Sequence, residues 1–315
     1  MAGHATPLPT ADVTPTGTRL LRGVEYATPD GFRPLLLDLH LPAAHPSGGP
    51  VPVIVFLHGG GWRTGSRARF GPAFAAWQVS PFDRLAAAGF AVASIDYRLS
   101  AEAVFPAQLQ DGKAALRWVR EHAEALEFDA ERVVLWGESA GGHLAALLGL
   151  TTCRPELETH DPAAAPYADV VGVVDWYGPA DLRTMQSQSL PDAVTVPDAA
   201  DSREAQLIGA PVPDAPRLAA EASPVTYVCA AAPPFLLAHG TADRFVPSAQ
   251  SEQLANALRA CGSEVTLRLI DSVDHLWAGL PDPRTVFDEA LDFALHVCAP
   301  NAGHTPRRPT AVRAF

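Results

Sequence analysis

Ser139 is the residue of this chain best placed to do covalent chemistry. It lies in Trp136-Gly137-Glu138-Ser139-Ala140-Gly141-Gly142, after the apolar run Arg132-Val133-Val134-Leu135-Trp136 and before His143-Leu144-Ala145-Ala146-Leu147-Leu148. Strand, sharp turn and helix form the context in which Gly-x-Ser-x-Gly makes a nucleophile elbow. A hydroxyl attacks only if it projects from the chain toward a base, so the turn is strained and its flanks must be small. Gly137 and Gly141 meet that need, and a serine held this way is a candidate for acyl transfer through a covalent intermediate. The pentapeptide also arises by chance. A base, an acid and oxyanion donors must therefore be found elsewhere.

The base is expected late in the chain, after the last strand. His275 has that address, in Asp271-Ser272-Val273-Asp274-His275-Leu276-Trp277. The acid is expected after the preceding strand, where Asp243 stands in Ala238-His239-Gly240-Thr241-Ala242-Asp243-Arg244-Phe245-Val246-Pro247. A different reading of Asp243 is a cap for the helix that follows. Asp271 and Asp274 are rival acids, but they adjoin the histidine in sequence, and an orienting acid normally comes from another loop. Backbone donors for an oxyanion need glycine-rich chain at a strand end, and His58-Gly59-Gly60-Gly61-Trp62 supplies it. The expected donors are the amides of Gly60, Gly61 and Ala140. His58 reads as a brace for that loop, and His143 and His239 read as structural. Trp62, Trp176, Tyr177 and Trp277 are candidate walls of a substrate pocket, although aromatics are equally ordinary core residues.

These residues need a frame. Residues 18–26 and 35–41 read as an antiparallel pair turned at Pro29-Asp30-Gly31. Strands are expected at 51–57, 90–96, 132–136, 170–176, 234–238 and 264–270. Helices are expected at 81–88, 106–123, from 143, at 247–260 and at 281–297. This alternation predicts one α/β domain with a parallel or mixed sheet covered on both faces. Asp181 to Val228 breaks the pattern, with much Pro, Ala and Asp and a weak helical signal at 203–208. It reads as a small irregular cap over the mouth of the site, with Thr152 to Ala168 a shorter insertion on the same side. Residues 1–15 and 302–315 read as disordered tails.

Composition excludes several classes. A formal net charge of -12, with no basic stripe beyond short clusters such as Arg63 to Arg69, argues against a nucleic-acid partner. The four cysteines (Cys153, Cys229, Cys261, Cys298) are scattered, so neither a zinc framework nor a disulfide scaffold is indicated. The start of the chain lacks the basic and apolar segments of a signal peptide, and no apolar stretch is long enough to span a bilayer. A cytoplasmic protein is the expectation, with no metal and no cofactor. A homo-oligomer stays open.

Taken together, the motifs resemble those of the α/β-hydrolase superfamily, near the hormone-sensitive-lipase-like and acetyl/feruloyl-esterase-like carboxylesterases. The resemblance rests on His58-Gly59-Gly60-Gly61-Trp62, Asp96-Tyr97-Arg98-Leu99, Phe105-Pro106-Ala107 with Asp111, Gly137 to Gly142, Trp176-Tyr177-Gly178-Pro179-Ala180-Asp181-Leu182, Gly240-Thr241-Ala242-Asp243 and His275. It implies the α/β-hydrolase fold, and the chain order Ser, Asp, His is that fold's order. Glu138 stands where the lipase-like branch usually has Asp, and the N-terminal part is a strand pair rather than a helical cap. Both features move the resemblance toward acetylxylan and feruloyl esterases. The implied activity is hydrolysis of short-acyl carboxylic esters by Ser139, His275 and Asp243. A similar His-Gly-Gly-x-Trp element in kynurenine formamidases keeps amide or formamide hydrolysis open. Acyl transfer or cyclisation in a biosynthetic pathway is open too, since fold alone does not fix chemistry. A non-catalytic, ligand-binding relative is the third reading, disfavoured because all three candidates of the triad are present.

Overall fold

A computed structural model describes residues 7–43, 48–152 and 167–299. One nine-stranded sheet runs through it, in the order β1-β2-β3-β5-β4-β6-β7-β8-β9. The strands are β1 (Asp12–Val13), β2 (Arg19–Ala27), β3 (Leu35–Leu41), β4 (Val51–Leu57), β5 (Ala91–Ile95), β6 (Phe128–Glu138), β7 (Val170–Trp176), β8 (Phe235–Gly240) and β9 (Val265–Ile270). Pairings from β1 to β5 across β2 and β3 are antiparallel, and all others are parallel. The hairpin at Pro29-Asp30-Gly31 forms as expected, closed by the Phe32 amide on the Pro29 carbonyl at 3.0 Å.

Alternation along the central strands separates two apolar layers. Val53, Val55 and Leu57 of β4 join one cluster with Leu109, Leu116, Leu144, Leu148, Leu254 and Leu258. Ile54 and Phe56 of the same strand join the other, with Phe82, Leu85, Trp136 and Phe287. Strands buried on both faces require helices on both faces. The first layer is covered by α2 (Ala107–Glu121), α4 (Ala140–Thr151) and α8 (Ala249–Ala260), and the second by α1 (Pro81–Ala87) and α9 (Arg284–Val297). Every residue of α4 is buried, as its largely apolar sequence demands. It lies close under its neighbours: a Cβ at Gly149 would stand 2.5 Å from Val173, and one at Gly112 of α2 would stand 2.6 Å from Leu148.

Two expectations change. Residues 12 and 13 do not belong to a structureless tail, because they pair with β2 as an edge strand; residues 1–6 and 302–315 lie outside the described residues. The segment 181–228 is irregular only in part, chiefly over 189–202. It holds α5 (Met185–Gln188), α6 (Arg203–Ile208) and α7 (Pro216–Glu221), with 3-10 turns at Val212–Asp214 and Pro224–Tyr227. Each element is at most six residues long, too short for a periodic pattern, so it is specified by its ends. Ser202 caps α6 by accepting from the Ala205 amide, Gly209 closes it in the left-handed conformation, and Pro216 opens α7. Of the four-cysteine reading, Cys229, Cys261 and Cys298 are free thiols, and only Cys298 is buried. The 152–168 insertion lies almost wholly outside the described residues.

Candidate active site

Three strand ends converge on Ser139. The turn between β6 and α4 holds Ser139 at φ 53° and ψ -119°, a conformation seldom adopted by a residue with a side chain. Tight neighbours impose it. A Cβ at Gly141 would lie 2.0 Å from the Leu57 carbonyl oxygen and 2.7 Å from that of His58. The elbow therefore sits directly on the end of β4, and only glycine fits at that position.

His275 follows β9. Its ring lies 2.9 Å from Ser139 Oγ through Nε2 and 2.6 Å from Asp243 Oδ2 through Nδ1. Tyr177 packs edge-on against the imidazole at 4.8 Å, and Phe245 stacks on it at 5.3 Å. Asp243 follows β8 and divides its two oxygens. Oδ1 accepts the amides of Phe245 and Val246, both at 2.8 Å, and Oδ2 accepts from His275. It does cap a turn, but its own, since α8 begins only at Ala249. Burial works against its charge, but hydrogen bonds from His239 and His275 outweigh that effect and hold the carboxyl well below the usual range. The rival acids point elsewhere. Asp274 accepts the Arg244 amide at 2.9 Å and the His275 amide at 2.7 Å and pairs with the Arg244 guanidinium, tying the acid and base loops together. Asp271 accepts from Thr241 and Ser272.

The glycine loop meets the elbow from the other side. Gly60 has φ 120°, and a Cβ there would lie 2.1 Å from the Thr64 carbonyl oxygen. Among the described residues, no acceptor is found for the amides of Gly60, Gly61 and Ala140. His58 is 3% exposed, stacks on Tyr97 at 4.3 Å and hydrogen-bonds Gly59 O through Nδ1. Tyr97 Oη in turn donates to the His58 carbonyl at 2.9 Å. Burial lowers the His58 pKa, which suits a neutral brace.

The aromatic residues expected as pocket walls are all 2% exposed or less. Trp176 and Trp277 meet edge to face within the second apolar layer, where Trp176 also stacks on Phe74. Both belong to the core. Trp62 packs against His143 inside the fold. Tyr177 alone of the four touches His275, and its hydroxyl donates to Glu138 Oε2 at 3.1 Å.

Sequence reasoning passed over several contacts. His239 is fully buried and offers Nε2 to the Val246 carbonyl at 2.9 Å and to Asp243 Oδ2 at 3.2 Å, with Nδ1 2.7 Å from Ser251 Oγ. A carbonyl only accepts, so Nε2 carries the hydrogen and Ser251 donates to Nδ1. His239 thus steadies the acid. Its position four residues before Asp243, at a strand end, was the available signal. Glu138, beside Ser139, is pushed up to about 7 by burial, partly offset by hydrogen bonds from Tyr177 and the Gly59 amide. Asp175 is likewise pushed up to about 7 by burial, offset in part by the Gly178 amide. Gln250 on α8 accepts the amides of Ala180 and Asp181, each at 2.7 Å, and so fixes the chain leaving β7. Among the described residues, no group of three or more His, Cys, Asp or Glu could hold a metal ion, and no helix is long and apolar enough to cross a membrane.

The BD-FAE family model matches residues 37–258. The chain belongs to the BD-FAE family. Its sheet order and helical layers are those of the α/β-hydrolase fold. A truncated form of a carbohydrate esterase from gut microbiota superposes with a TM-score of 0.75 at 29% identity, covering 93% of this chain and 99% of that one. Thermogutta terrifontis esterase 2 with butyrate bound superposes with a TM-score of 0.65 at 26% identity, covering 89% and 93%. In sequence, this BD-FAE protein is 34% identical to Esterase LipC of Mycobacterium tuberculosis over 67% of its own length and 49% of LipC's. It is 31% identical to Esterase LipQ of the same organism, over 82% of its own length and 56% of LipQ's. The chain thus spans about half the length of the curated relatives it matches.

Proposed function

We propose that the protein is a serine-dependent carboxylic ester hydrolase acting on short-acyl esters. The observation that carries this reading is the continuous path from Ser139 Oγ through His275 to Asp243, at 2.9 and 2.6 Å, in a nearly closed setting. His275 takes the Ser139 proton as the hydroxyl attacks the ester carbonyl. Asp243 keeps Nδ1 protonated and stabilises the imidazolium that forms. The amides of Gly60, Gly61 and Ala140 receive the oxyanion of the tetrahedral intermediate. His275 then gives its proton to the leaving alcohol, and water, activated by the same base, releases the acid from the acyl-serine. No cofactor enters this scheme. The esterases among the relatives support the reaction class, and the butyrate bound to the Thermogutta esterase supports a small acyl group. The segment 181–228 bears on acyl choice as a cap: Thr195 donates to the Phe245 carbonyl at 3.0 Å, and the Val194 amide donates to the Arg244 carbonyl at 3.0 Å, beside the acid loop.

The test is a series of 4-nitrophenyl esters from acetate to octanoate with wild type and Ser139→Ala. Turnover should peak at two to four acyl carbons and fall by roughly 10⁶-fold in kcat in the variant, as loss of a serine nucleophile typically gives. Ester turnover that survives Ser139→Ala largely intact would sink the mechanism. A peak at eight carbons would sink the acyl assignment.

A further inference from the structure

The arginine that opens α6 is placed where a substrate would pass. A Cβ at Gly61 would meet Arg203 Cδ at 2.3 Å and Nε at 2.9 Å, so the stem lies flat on the glycine loop. Its guanidinium carbon lies 5.6 Å from the centre of the Phe245 ring, within cation–π range. That ring stacks on the imidazole of His275. The cation therefore stands one ring away from the candidate base, against the loop that carries the Gly60 and Gly61 amides.

Its charge has no direct partner. Arg67, Arg98, Arg132, Arg183 and Arg244 each hold a carboxylate at 2.8 Å or less. Among the described residues, none lies within 4.0 Å of Arg203, and none within 4.0 Å of Arg63, which follows the glycine loop. Arg63 instead donates through Nη2 to the Asp201 carbonyl, and its Nε is buried without an acceptor. Two guanidiniums thus flank the glycine loop where cap and loop meet. The acid that acts on both is Glu204, a single buried carboxyl that burial pushes upward and the two guanidiniums draw back down. In a chain of net charge -12, an unpaired guanidinium pair is a local reversal of the field. Guanidinium forks match carboxylates in bidentate geometry.

We propose that Arg203, with Arg63 beside it, forms an anion subsite that selects esters whose leaving alcohol carries a carboxylate. The inference rests on the hydrolase reading above. It falls on the alcohol side because the ring beneath Arg203 lies on His275, the group that returns the proton to the leaving oxygen.

The test compares kcat/KM for 4-acetoxybenzoate and neutral 4-acetoxybenzamide, and, for the acyl side, methyl hydrogen succinate and methyl succinamate. Dividing each wild-type ratio by that of Arg203→Gln cancels the intrinsic reactivity of the esters. The benzoate-to-benzamide ratio should fall at least tenfold in Arg203→Gln and less in Arg203→Lys. Arg217→Gln, which removes the same charge at an exposed pair with Glu221, should keep the wild-type ratio. Thermal melts of each variant exclude misfolding as the cause. Turnover of the benzamide with an unchanged ratio in Arg203→Gln overturns the subsite while leaving the hydrolase reading intact. An Arg203-dependent preference confined to the succinate pair overturns the alcohol-side assignment. Failure of wild type to cleave any of the four esters overturns the hydrolase reading, and the inference with it.

Discussion

Glu138 should make the stability of this protein fall as pH rises through neutrality. Its carboxyl is buried between the Gly59 amide, the Tyr177 hydroxyl and the Gly71 Cα, where a Cβ would stand 2.1 Å from Oε2. Burial raises its pKa from the ordinary 4.5 to about 7, and the two hydrogen bonds only partly offset this. The phenol of Tyr97 also faces it, and its pKa is raised first by burial and then by the Glu138 charge, so it stays neutral. The sign follows from proton binding. Between pH 4.5 and about 7 the folded protein keeps the Glu138 proton while the unfolded chain loses it. The stabilisation is complete below 4.5 and is lost as pH climbs through 7. At about 1.4 kcal/mol per pH unit, that interval amounts to about 3 kcal/mol. Glu138→Gln keeps one acceptor oxygen in nearly the same volume and does not ionise. Urea unfolding from pH 4.5 to 8 should therefore show wild type losing about 3 kcal/mol relative to the variant. Parallel stability profiles would refute the reasoning, because they would mean that Glu138 titrates alike in both states.

Three further outcomes are expected. Asp243→Asn places an N–H where Oδ2 now accepts from His275, which forces the wrong tautomer and should lower kcat about 10⁴-fold in a 4-nitrophenyl acetate assay; a loss under tenfold would remove Asp243 from the mechanism. Gly141→Ala drives a Cβ to 2.0 Å from the Leu57 carbonyl oxygen, so the elbow must shift. Displacement on the order of 1 Å should cut kcat about 10²-fold, and wild-type kinetics in a folded variant would contradict the packing argument. Gln250→Ala leaves the buried amides of Ala180 and Asp181 without acceptors and should reduce unfolding free energy by about 3 kcal/mol; a change under about 1 kcal/mol in urea titration would show that water replaces the side chain.

The alternation of apolar runs and helical segments is local, so it could be read along the chain. Strands at 51–57 and 170–176 coincide with apolar runs, because a strand buried on both faces is mostly apolar, with Asp175 the buried exception. The short helices of 185–221 were legible only at 203–208, where a serine cap and a left-handed glycine bracket six residues. Elsewhere their ends carry weaker signals. Trp176 and Trp277, expected as pocket walls, pack in the second apolar layer. Trp176 ends β7 and Trp277 lies in the turn after β9, and nothing local separates a pocket wall from a core layer.

Ser139, Asp243, His275 and the glycine loop were identified by residue type and address, since a strand end aims whatever follows it at one edge of the sheet. That much the linear chain determined by itself: a parallel core, an elbow, and three loops at its carboxyl ends. Partnership was decided only by folding. Asp271, Asp274 and Asp243 share one chemistry, and the separate loop that favoured Asp243 in sequence is not itself a contact: its Oδ2 comes within 2.6 Å of His275 Nδ1 only in the folded chain. The desolvated carboxyl of Glu138 and the placement of Arg203 over Phe245 are likewise invisible in sequence. Each depends on desolvation or on contacts between residues far apart in the chain, and neither exists until the chain is packed.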